Sequence, residues 1–159
     1  MTTLQLPNLD ARLAYLAVQY HLSRPGSELD PQTKLPVEHG LGEVARALEP
    51  QLGRAVVVFE LSAEQQRRLV EAVAGAMNEL KSYPLLAASG RSAAPPFHEA
   101  LRRLFPDVAA EPDEATSLAG HMLSLRRRLE RIEAPPERPP AAHLAKRSSW
   151  RFWDRGNSQ

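Results

Sequence analysis

Fourteen prolines punctuate this chain, and where they fall decides which stretches can be helical. Proline locks its own φ, offers no N–H, and biases the residue before it away from the helical basin. Pro25, Pro31 and Pro36, set among Gly26, Gly40 and polar residues, make 23–40 a long loop. By the same rule Pro50 should end or kink an element at Glu49, Pro84 should stop one near Ser82, and Pro106 should end one at Phe105. Pro135, Pro136, Pro139 and Pro140 forbid a helix after Glu133 and favour a stiff, extended spacer. The chain therefore reads as one domain over 1–133, followed by a proline-rich spacer and tail over 134–159.

Between these breaks the apolar residues recur at helical spacing. Leu9, Leu13, Leu16 and Tyr20 predict a helix over 9–22, with Asn8 or Asp10 as its cap. Leu41, Val44, Ala45, Leu48 and Leu52 predict a short one. Ser62 followed by Gln65 is a capping box that opens a helix over 63–82. There Leu69, Val70, Val73, Met77 and Leu80 form one face, and Glu64, Gln66, Arg67, Glu71 and Lys81 point outward. The small residues from Ala87 to Pro96 read as a connector. Phe97, Leu101, Leu104 and Phe105 give another short helix, and Ala115, Leu118, Met122, Leu125, Leu129 and Ile132 give a last one over 113–133. With 43% hydrophobic but only 6% aromatic residues, the core must be Leu, Val and Ala, which suits packed helices. The fold class is mainly α: a small bundle of about five helices, with Leu69, Val73, Met77, Leu118, Met122, Leu125 and Leu129 buried.

One segment conflicts with this pattern. Val56, Val57 and Val58 in the run 55–61 favour extended backbone, yet no other stretch offers an obvious strand to pair with it. It is read as either a buried helical turn or a lone strand whose partner lies in another chain.

Composition excludes several chemistries. The chain has no cysteine, which removes disulfides, thiolate nucleophiles and cysteine metal sites. The start of the sequence lacks the charged and apolar regions of a signal peptide, and no stretch approaches the length of a spanning helix, so a cytoplasmic location is expected. Arginine outnumbers lysine 17 to 3, a bias that a GC-rich bacterial genome produces without selection for phosphate binding. The net charge of +1 is unevenly spread: 134–159 carries five basic and two acidic side chains, leaving the body at −2.

Candidate catalytic groups are sparse. His21, His39, His98, His121 and His143 contain no i, i+4 pair, so no metal motif can be written, and no cofactor is expected. His39 with Glu38 and Glu43, and His98 with Glu99, are the nearest approach to an enzyme site assembled from dispersed groups. Histidines beside acids are nonetheless common on solvated surfaces. Gly40-Leu41-Gly42 is too short to cradle phosphates. His121 flanks the last helix's apolar seam and reads as core edge. Arg126, Arg127, Arg128 and Arg131 project to several sides of their helix, at the end where the dipole favours cations, and Glu130 lies within reach of Arg126 and Arg127.

The tail stands out. Lys146-Arg147-Ser148-Ser149-Trp150-Arg151-Phe152-Trp153-Asp154-Arg155 holds both tryptophans of the protein. Aromatic and arginine side chains dominate binding hot spots. Arg147, Trp150, Arg151, Phe152 and Trp153 are therefore the candidate binding residues: as a latch onto the body, as a motif for a protein partner, or as a contact for an anionic membrane or nucleic acid. The function expected is that of a non-enzymatic helical interaction or adaptor protein, self-associating as a homodimer or binding a protein partner through the tail or 55–61. The alternatives are a nucleic-acid-associated regulator using 126–131 and the tail, and an enzyme built on His39, Glu43, His98 and Glu99.

Overall fold

The computed structural model describes residues 1–90 and 95–133. Within them, strand β1 (Thr2–Pro7) leads into α1 (Asn8–Leu22), and the loop over 23–40 returns to α2 (Leu41–Leu48). A 3-10 turn at Glu49–Gln51 precedes β2 (Val56–Leu61), which feeds α3 (Ala63–Ser89). Then come α4 (Pro95–Leu104), α5 (Pro106–Ala110), a second 3-10 turn at Pro112–Glu114, and α6 (Ala115–Glu133). The protein is mainly helical, as the periodicity implies, and α3 is its hub, packed against both α6 and α1. Leu69, Val73, Met77, Leu118, Met122, Leu125 and Leu129 are all buried in the shared core.

Four expectations are corrected. First, 55–61 does have a partner in its own chain. β2 pairs antiparallel with β1, Leu4 opposite Phe59 and Leu6 opposite Val57, so the inward residues of both strands cover the helices. The signal was the alternation Thr3-Leu4-Gln5-Leu6, easily lost because it is short and ends at a proline. That removes the argument that 55–61 must pair with another chain.

Second, Pro84 does not stop α3, which runs to Ser89 and ends on Gly90, whose positive φ of 67° suits a glycine cap. A proline inside a helix forfeits one backbone bond and crowds one carbonyl, on the order of 3 kcal/mol. Here the flanking Leu80 and Tyr83 are buried, and their packing outweighs that cost. Third, Gln66 does not face solvent. It is buried on α3, and its Nε2 donates to the Leu129 carbonyl of α6 at 3.0 Å, satisfying an amide that would otherwise be costly to bury. Fourth, neither Asn8 nor Asp10 caps α1. The Asn8 amide instead donates to the carbonyls of Leu52 (2.6 Å) and Arg54 (2.7 Å), clamping the start of α1 to the turn before β2. Asp10 pairs with Arg128 on α6.

The Ser62–Gln65 capping box forms as the sequence implies, with both reciprocal bonds present. The proline-rich loop is tied down by Glu28. Its carboxylate accepts from the backbone of Leu41 (3.2 Å) and Gly42 (3.3 Å) at the start of α2, and also contacts His21 Nε2 at 3.0 Å. An acid at a helix start satisfies N–H groups that have no intrahelical partner.

Candidate functional site

The dispersed groups named from the sequence do not converge. His39 Nδ1 lies 3.5 Å from Glu43 Oε2 on the exposed entry to α2, lining a cleft beside β2. Glu99 lines a different cleft with Tyr15 and Arg103. His98 is buried, and the acid it faces is Glu79 of α3, at 3.6 Å, with Tyr83 edge-on to its ring. Desolvation pushes its imidazole below the ordinary value of 6.5, against the opposing pull of Glu79. Among the described residues no group of three or more His, Asp or Glu is arranged to hold a metal ion, and no helix is long and apolar enough to cross a membrane.

The basic run on α6 is partly committed to the fold. Arg126 pairs with Glu130 one turn on (2.7 Å), and Arg128 reaches Asp10 on α1. Arg127 and Arg131 are exposed. The tail residues Arg147, Trp150, Arg151, Phe152 and Trp153 lie outside the described residues.

One further concavity left no sign in the sequence. A cleft of about 570 Å³ opens where α1, α5 and the first half of α6 meet. The proline at 106 creates it: α4 ends, Phe105 turns with a non-helical backbone, and α5 restarts at Pro106 in the N-terminal position proline tolerates. This corner presents Phe105 and Val108 as floor, joined by Leu118 from α6 and Leu9 from α1. Leu9 remains 37% exposed at the mouth. Arg12 lies over the Phe105 ring, 4.4 Å from its centroid, and is held there as part of the wall.

The rim is acidic. Asp107, Glu111 and Glu114 all line the cleft, because α5 and the 3-10 turn carry acids at three- and four-residue spacing. Most other acids of the body are matched: Glu28, Glu43, Glu49, Glu64, Glu71, Glu79, Glu130 and Asp10 each meet a basic side chain. Asp107, Glu111 and Glu114 take part in no ion pair or side-chain hydrogen bond among the described residues. His121, read from sequence as core edge, is exposed and lines the same cleft one turn beyond Ser117. Chemically this is a shallow apolar trough with a surplus of negative charge, suited to a group that is both cationic and hydrophobic.

Set against known proteins, the chain matches no family model, no curated protein and no solved structure. Fold and cleft together define a mainly helical protein carrying a small two-stranded sheet and an acid-rimmed surface trough.

Proposed function

We propose that this protein is a non-enzymatic helical interaction protein of the bacterial cytoplasm, and that its contact surface is the cleft between α1, α5 and α6. The observation that carries this reading is the rim: three carboxylates with no cationic partner among the described residues stand over the apolar floor of a cleft of about 570 Å³. Its ligand is a protein segment with Lys or Arg beside a large apolar side chain. Charge then steers the encounter and the floor supplies the buried contact.

Two other readings have less support. A nucleic-acid role would draw on 126–131, where Arg126 and Arg128 are already engaged by acids of the body. A catalytic role would draw on His39, Glu43, His98 and Glu99, which do not share one cavity.

The test is fluorescence anisotropy of a labelled peptide rich in Arg and Trp, titrated with the full chain at low and high salt. Saturable, salt-sensitive binding that weakens at least tenfold in a variant with Asp107→Lys, Glu111→Lys and Glu114→Lys supports the reading. Binding unaffected by those three changes, or no binding to any form of the protein, overturns it.

A further inference from the structure

The cleft has a matching segment within the same chain. We propose that residues 146–155 of the tail occupy the α1–α5–α6 cleft intramolecularly, covering it until a competing basic segment displaces them. The proposal rests on the reading of the cleft as a surface for such a segment.

Three observations converge on it. The first is charge. The tail over 134–159 carries a net +3 and the remainder of the chain −2. Asp107, Glu111 and Glu114 can receive it together: all three line one cleft and Arg12 beside them is held over Phe105, whereas in the other clefts Glu43 is met by His39, and Glu60 and Glu99 each stand alone. The second is surface type. Trp150, Phe152 and Trp153 alternate with Arg151 and follow Lys146 and Arg147, so one short segment brings both the apolar bulk for Leu9, Phe105 and Leu118 and the cations for the rim. The third is reach. The described chain ends at Glu133, and the cleft meets α6 at His121, about 18 Å back along the helix at 1.5 Å per residue. The spacer 134–145 spans roughly 37 Å if extended at about 3.1 Å per residue, enough to double back with slack. A tether of this length raises the local concentration of the segment to about the millimolar range, so modest intrinsic affinity suffices.

Because both tryptophans lie in the segment, their emission reports on it alone. In the full-length protein we expect a blue-shifted emission that resists acrylamide and does not change on dilution. The triple reversal Asp107→Lys, Glu111→Lys, Glu114→Lys should red-shift it and raise the quenching constant severalfold, with helicity by circular dichroism unchanged. The tail reversal Lys146→Glu, Arg147→Glu, Arg151→Glu should do the same without touching the body, and combining both sets should restore the shielded emission. Red, freely quenched tryptophans in the wild type would overturn the proposal. So would shielding that survives either reversal made alone, or shielding lost on dilution. The labelled peptide separates this from the broader reading. If it binds the tail-reversed variant more tightly than the wild type, the tail is its competitor. If it binds both equally at the cleft, self-occupancy fails and the cleft reading stands; if it binds neither, the cleft reading itself falls.

Discussion

The side-chain amide of Gln51 pairs with the backbone of Val58 as a neighbouring strand would: Nε2 donates to the Val58 carbonyl at 3.1 Å, and Oε1 accepts from the Val58 N–H at 3.4 Å. Successive residues of an antiparallel strand turn their polar groups to alternate sides, so these two lie on the edge of β2 that β1 does not use. One glutamine thereby blunts an apolar strand edge of the kind that recruits other chains. Gln51→Ala should cost about 1 kcal/mol in chemical denaturation and increase self-association by light scattering at high concentration. An unchanged, monodisperse variant would show that the edge is guarded by something else.

Inner and outer positions of β2 should respond very unequally to charge. Val57 is fully buried against the helices, whereas Val58 is 43% exposed. Val57→Lys places an ammonium in the core and should destabilise by more than about 4 kcal/mol. Val58→Lys should stay within about 0.5 kcal/mol of the wild type. Equal effects would contradict the register of the sheet.

Gly75 lets α1 and α3 approach. A Cβ at this position would collide with the Tyr20 ring, which is itself packed edge-on to Phe97 with centroids 5.8 Å apart. Gly75→Ala gains about 1 kcal/mol of helix propensity, but the overpacking should outweigh it and leave the variant about 1–3 kcal/mol less stable. Adding Tyr20→Ala should make the Gly75→Ala change stabilising, a coupling that a double-mutant cycle reads directly.

Acidification should weaken the fold through His98. Burial, with a smaller contribution from Arg102, holds the folded imidazole below 6.5, the raising effect of Glu79 notwithstanding. In the unfolded chain it takes up a proton near 6.5, so below that pH the unfolded state binds more protons. The contribution is complete above about 6.5 and is lost as pH falls through the depressed folded value. Denaturant midpoints should drop between pH 7 and pH 5, and the drop should shrink in His98→Leu. A slope identical to wild type would assign the effect to other groups.

What the sequence determined by itself was whatever a few neighbouring residues decide. The spacing of Leu9, Leu13 and Leu16 makes α1, the Ser62–Gln65 pair starts α3, and Pro106 breaks the chain between α4 and α5, because periodicity, capping and the missing proline N–H act within a turn or two. Tertiary structure decided what depends on residues distant in sequence. β1 became a strand only through β2, whose paired residues lie 49 to 59 positions further along the chain; Gln66 turned inward only because the Leu129 carbonyl was there to receive it; and α3 continued through Pro84 because Leu80 and Tyr83 are buried. The cleft belongs to the same category. Its acids, Asp107, Glu111 and Glu114, look like ordinary solvated turn residues in sequence, and they become a rim only when packing sets Leu9 of α1 and Leu118 of α6 beneath them.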